Sequence, residues 1–182
     1  MEFQVGEKVV YPTQGIGVVE SIQSRTTSEG RVSGYDLRFL SNDSRVFVPQ
    51  ASAPGIGLRP MVTKADATRI LAMVADGSVA HHTNWKGRFK ENSDKMRTGS
   101  LFDVASVLKA LASLRRTQVL SFRERRMFER AKFLIISEIA EVEGKSLAAV
   151  ERRVDEALDR TLSAEPRPVR QKPVAQRRPV NA

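Results

Sequence analysis

Between residues 1 and about 60, apolar residues come in short runs broken by tight polar turns, the pattern of brief β-strands. Phe3, Val5, Val9, Val10 and Tyr11 favour a strand that Gly6 interrupts and Pro12 stops. A turn through Thr13-Gln14-Gly15 leads into a second strand over 16–22. Residues 26–33 read as a polar turn region before a third strand over 35–40. Ser41-Asn42-Asp43-Ser44 then turns the chain into Arg45-Val46-Phe47-Val48, which Pro49 ends. Short strands with tight turns predict a small, strongly bent antiparallel barrel of the SH3 or Tudor type, with an open sheet edge. The stretch 55–60, with Gly55 and Gly57, closes it.

From Thr63 onward the apolar period changes from two to about 3.6. Thr63 and Asp66 resemble a capping box, and Ala67, Ile70, Leu71 and Val74 form a stripe that ends at Gly77. A connector over 78–83 holds His81 and His82. A second helix is predicted over about 84–98, stopped by Gly99, with a thin stripe of Trp85, Phe89 and Met96. Leu101, Val104, Leu108 and Leu111 mark a third helix that ends near Arg115-Arg116. Ser121 to Glu124 matches the capping box S-x-x-E and opens a long fourth helix up to Gly144. Its inward positions are Met127, Ala131, Leu134, Ile135, Ile139 and Val142. Ser146 caps a fifth, with Leu147, Val150, Val154 and Leu158 inward. Past about residue 163 the periodicity stops, and proline mixed with arginine predicts a disordered tail. The expected fold class is therefore α+β in two domains. A small N-terminal SH3/Tudor-like β-barrel (1–60) precedes a compact all-α domain of about five helices (61–162) and a disordered basic tail (163–182).

Composition narrows the partners. A net charge of +9 across 182 residues favours a polyanion such as nucleic acid, although an anionic membrane surface fits the same charge. No apolar stretch approaches a bilayer span, and the first residues lack a basic region followed by an apolar run, so a cytoplasmic protein is expected. The absence of cysteine removes disulfides, thiolate catalysis and cysteine-ligated zinc. His81 and His82 are adjacent, point to different sides, and have no further histidine to complete a metal site. Gly15-Ile16-Gly17 precedes no helix and lacks a third glycine, so it reads as a turn rather than a phosphate loop. With acidic residues scattered over helix surfaces, nothing assembles into a catalytic constellation, and neither an enzyme nor a cofactor is expected.

The segment Thr83-Asn84-Trp85-Lys86-Gly87-Arg88-Phe89-Lys90 carries the single tryptophan among three cations. Thr83 and Asn84 are good N-caps, so Trp85 falls in a first helical turn, and Lys86 and Lys90 share one face. An exposed ring flanked by cations suits DNA with partly unstacked bases. Trp85 and Phe89, at i and i+4, also fit a buried stripe, and the residue pattern leaves both readings open. Arg123, Arg126 and Arg130 form an outer stripe on the fourth helix, widened by Arg125 and Lys132. Arg25, Arg38 and Arg45 lie along the strands, as solvated charge or as contacts for an acidic partner.

Several motifs recur in order: Val9-Val10-Tyr11-Pro12, Gly15-Ile16-Gly17, Val48-Pro49, Gly57-Leu58-Arg59, Asn84-Trp85 and Leu120-Ser121-Phe122-Arg123-Glu124-Arg125-Arg126-Met127. In this order the chain resembles the CarD/CdnL family of bacterial transcription regulators over about residues 3–158. The resemblance implies a barrel that grips the beta subunit of RNA polymerase, and a helical domain that contacts promoter DNA at the upstream edge of the bubble. It makes Trp85 a minor-groove wedge and gives backbone contacts to Arg88, Lys90 and Arg125, beside which Lys86 and Arg126 complete the candidate DNA surface. Arg25 takes the place of the family's first polymerase-contacting arginine, with Arg45, Val46 and Phe47 on the predicted strand over 45–48. Some relatives carry a further cation at position 47, where this chain has phenylalanine, so the polymerase contact here is either charge-led or more apolar. A monomer acting at the nucleoid is expected. The alternative is a protein–protein adaptor that binds polymerase without touching DNA.

The two readings of Trp85 separate in solution. A wedge predicts red-shifted tryptophan fluorescence that a soluble quencher reaches freely, whereas a core position predicts a blue-shifted, shielded signal.

Overall fold

The computed structural model describes residues 2–12, 14–27, 30–77 and 85–163, with backbone alone at 27, 85, 86 and 117. The N-terminal part is a sheet of five antiparallel strands: β1 (Lys8–Tyr11), β2 (Gly15–Thr27), β3 (Gly30–Phe39), β4 (Arg45–Pro49) and β5 (Arg59–Pro60). The spatial order is β4-β3-β2-β1-β5. A one-turn 3-10 helix, Gln50–Ser52, carries the chain from β4 towards β5, so the last strand returns beside the first as in an SH3-type barrel. Phe3, Val9, Val19, Tyr35, Leu37, Val48, Ala53 and Leu58 fill its core. The Phe3 ring meets Tyr35 edge-on at 5.6 Å, and its backbone N–H donates to the tyrosine hydroxyl at 3.2 Å.

One expectation needs correction. Residues 26–33 are not a broad polar turn, because β2 and β3 pair as far as Thr27↔Gly30. The outer part of this ribbon, with Ser24, Thr26, Arg31 and Ser33 exposed, lies beyond the core. A ribbon wet on both faces has no apolar alternation by which to announce itself.

Five helices follow, beginning four residues after Pro60: α1 (Lys64–Ala75), α2 (Trp85–Arg97), α3 (Leu101–Thr117), α4 (Phe122–Glu143) and α5 (Leu147–Ser163). Both predicted capping boxes form, Thr63 with Asp66 and Ser121 with Glu124. Gly144 ends α4 in the left-handed region, and Ser146 Oγ accepts from Ala149 N–H at the start of α5. Ile70, Val74, Leu108, Leu111, Ile135, Ile139, Val150 and Val154 make the centre of the helical core. The thin stripe of α2 contributes buried Met96. Lys109 is buried too, because its ammonium caps the end of α1, donating to the Met73 carbonyl at 2.9 Å and pairing with Asp76. Leu147, expected inward, stands 55% exposed at the first residue of α5. The connector with His81 and His82, and the tail over 164–182, lie outside the described residues.

Sheet and helices meet along one seam. The Arg59 guanidinium on β5 makes two parallel bonds to Glu138 on α4, at 2.6 and 2.9 Å, and its Nε donates to the Gly99 carbonyl between α2 and α3. Val62 N–H adds a third donor to Glu138 at 2.9 Å, and that carboxylate side chain is 3% exposed. Beside it the backbones of Gly57 and Gly99 pass so closely, both at φ +78, that a Cβ on Gly99 would come to 3.0 Å from the Gly57 carbonyl oxygen. Lys8 on β1 and Glu141 on α4 form a second, exposed ion pair across the seam.

Removing one partner of a nearly buried pair strands the other charge. Glu138→Gln is expected to lower unfolding free energy by about 3 kcal/mol in urea titration. Lys8→Ala, at an exposed pair, is expected to change it by less than about 1 kcal/mol.

Candidate functional site

The first turns of α2 and α4 are neighbours because one buried charge pair joins them. Arg88, one turn into α2, directs Nη2 to Glu124 Oε1 at 3.2 Å, and the two side chains are 10% and 3% exposed. Glu124 is also the capping-box acid of α4, its Oε2 accepting from Ser121 N–H at 3.0 Å and from the Ser121 hydroxyl at 2.8 Å. Burial pushes its carboxyl up, but the Ser121 hydrogen bonds and then the Arg88 guanidinium outweigh this and hold it below the ordinary glutamate value. Arg88 therefore pairs with an acid inside the fold, whereas the family resemblance gives it a contact to the DNA backbone.

Lys90, Arg125 and Arg126 are exposed around these helix starts. The side chains of Trp85 and Lys86 lie outside the described residues; their backbone forms the first turn of α2. Phe122, the first residue of α4, is an exposed aromatic ring at 72%, with the Arg126 guanidinium 5.8 Å from its centroid. Sequence reasoning gave Phe122 no role. The signal was present, since Phe122 shares a helical face with Arg126 and Arg130 rather than with the apolar stripe. Arg130 itself is half-buried over Phe133 at 5.1 Å, and desolvation lowers its pKa. One charge pair thus links the first turns of two helices, and Lys90, Arg125, Arg126 and the Phe122 ring are exposed on those helices within two turns of it.

The other predicted surface sits on the sheet edge. Among the described residues β4 pairs with β3 alone, leaving its outer edge unpaired. Val46 is 37% exposed on it, and Arg45 reaches back to Glu20 at 3.0 Å. Glu20 also holds Arg38 at 2.7 Å. Arg25 on β2 lies over the Phe47 ring at 4.2 Å and pairs with Asp36 at 2.5 Å. The ring has room because Gly34 lies beneath it: a Cβ there would come within 2.4 Å of Phe47. Position 47 thus supplies a platform for the Arg25 cation.

Among the described residues no group of three His, Asp or Glu side chains is placed to hold a metal ion, and no helix is long and apolar enough to cross a membrane.

Family models match both parts of the chain: the CarD-like/TRCF RID domain over residues 3–62, and the CarD C-terminal domain over 69–155. The chain belongs to the CarD family. A relative from Bacillus subtilis (strain 168), named "Putative transcription factor YdeB", is 28% identical over 142 residues, covering 78% of this chain and 93% of the relative.

In this CarD-family chain the Arg88–Glu124 pair carries a pH signature. The folded-state value of Glu124 lies below the unfolded one, so its ionised form stabilises fully above the ordinary carboxylate range. That stabilisation is lost as pH falls through the folded value. Glu124→Gln is expected to lower the urea midpoint at neutral pH and to flatten its decline on acidification. Parallel pH profiles for the two proteins would show that the ionised Glu124 carboxylate does not stabilise the fold.

Proposed function

We propose that the chain is a transcription regulator that binds the RNA polymerase beta subunit through β4 and Arg25, and stabilises the open promoter complex through sequence-tolerant minor-groove contact. The observation that carries the DNA half is the corner where Arg88 and Glu124 join two helix starts. There Lys90, Arg125, Arg126 and the Phe122 ring stand exposed beside the first turn that bears Trp85. Trp85 acts as the wedge, Lys86, Lys90, Arg125 and Arg126 meet phosphates, and Arg88 is a positioning residue that holds α2 against α4. Phe122 offers a second stacking surface, tolerant of sequence because every base has a π face.

The polymerase half is supported by the unpaired β4 edge, which can accept a strand of another chain, and by the Arg25–Phe47 stack beside it. The RID-type domain model and the named relative point to the same process. Tethering raises the local concentration of a weak DNA-binding corner, so neither contact needs high affinity alone. A wedge that prefers open over closed DNA by about 1.4 kcal/mol shifts that equilibrium tenfold. The protein acts as a monomer in the cytoplasm, on the nucleoid, and without catalysis.

In full-length protein, Trp85→Ala is expected to keep polymerase binding while shortening open-complex lifetime towards that of polymerase alone. Arg25→Glu is expected to lose polymerase binding and, with it, the effect on lifetime. Each phosphate-contacting cation removed should reduce the salt slope of DNA binding by roughly one. A Trp85→Ala protein that prolongs the open complex normally would refute the wedge.

A further inference from the structure

Neighbouring arginines on α4 part company: Arg126 lines the surface shared with α2, whereas Arg125 lines a separate groove bounded by α3, α4 and α5. That groove encloses about 970 Å³. Its floor is apolar, with Leu120 and Ile136 buried and Phe128 half-buried. Two large apolar side chains stand open along it: Val119, 86% exposed between α3 and α4, and Leu147 at the start of α5. Neither caps a helix or terminates a strand, and both leave apolar surface in water at a concave site, which is a binding signature.

The charge around this floor is one-sided. Lys132 and Glu151 cancel one another at 2.9 Å, and Lys132 also holds Asp155 at 2.8 Å. Lys132 offsets one of those two carboxylates, which leaves the exposed Arg115, Arg116 and Arg125 against Glu129 and the other, still an excess of positive charge. The tail over 164–182 is a poor occupant, since Arg167, Arg170, Lys172, Arg177 and Arg178 oppose Glu165 alone. Duplex DNA reaching Arg125 from the start of α4 would gain nothing from the groove itself, because its phosphates would set Val119 and Leu147 against charge. Three helices wall the groove, and among the described residues no strand edge borders it, which favours a helix over an extended peptide.

We propose that this groove docks an acidic amphipathic helix of another protein, with leucine-like side chains on the Val119–Phe128–Leu147 floor and carboxylates at Arg115, Arg116 and Arg125. Because Arg125 also borders the proposed DNA corner, such a partner would sit beside promoter DNA. The docking itself does not depend on the DNA reading.

The test uses the full chain and a short labelled helical peptide with leucines at i, i+3, i+4 and i+7 and glutamates elsewhere, followed by fluorescence anisotropy. A matched peptide with lysine for glutamate and a labelled DNA duplex serve as the other arms. Saturable binding of the glutamate peptide that weakens with salt is expected, with little binding of the lysine peptide. The double variant Val119→Ser/Leu147→Asn, which adds no charge and is shown folded by circular dichroism, is expected to lose about tenfold in affinity for the glutamate peptide and none for the duplex. Arg115→Ala/Arg116→Ala, which leaves the floor intact, should weaken the same binding. Equal binding of the two peptides, no saturable binding, or the same loss for the duplex as for the peptide would overturn the proposal.

Discussion

The carboxylate of Glu138 is shut off from solvent in the C-terminal half of α4, where Arg59 arrives from the last strand of the sheet with a matching fork of donors. Such a pair contributes little net stability, since the desolvation of both charges offsets most of their attraction. Its power is selective. Any other docking of sheet on helices would leave a carboxylate and a guanidinium buried without partners. Arg59 also donates to Gly99, and Glu138 also accepts from Val62, so one charge pair ties together β5, the α2–α3 corner, the entry to α1 and the body of α4. The close passage of Gly57 and Gly99 lets the fork reach.

From that seam α4 runs back to its own start, where Glu124 takes the second buried arginine, Arg88. Glu138 and Glu124 lie on one continuous helix, about 21 Å apart at the helical rise. The same element that locks the sheet onto the helices therefore aims the corner bearing Trp85, Phe122 and the exposed cations. The proposed tether through the sheet edge and the proposed contact through that corner then belong to one frame.

The basic composition conceals a division of labour among cations. Arg59, Arg88 and Lys109 are each spent on an acid within the fold, Glu138, Glu124 and Asp76 respectively. Arg115, Arg116, Arg125 and Arg126 remain exposed on the helical surface. A net charge of +9 points to a polyanion, yet it counts both sets alike. Paired and unpaired cations look the same in a string of letters.

Much of the local architecture was legible beforehand because its causes span three or four residues. The Thr63–Asp66 and Ser121–Glu124 boxes, the Gly144 stop and the stripes of α3 and α4 are interactions between near neighbours in sequence. So was the change from strand to helix period just past Pro60. Only the outer part of the β2–β3 ribbon escapes such a reading, because a strand wet on both faces carries no alternation. What only the tertiary structure decided is which of several identical residue types turns inward. Arg88 meets Glu124 across 36 residues and Arg59 meets Glu138 across 79, while Phe122, an apolar residue at a helix start, is left in water. Partners that distant are chosen by the packing of whole elements, and helical period and propensity hold no information about them.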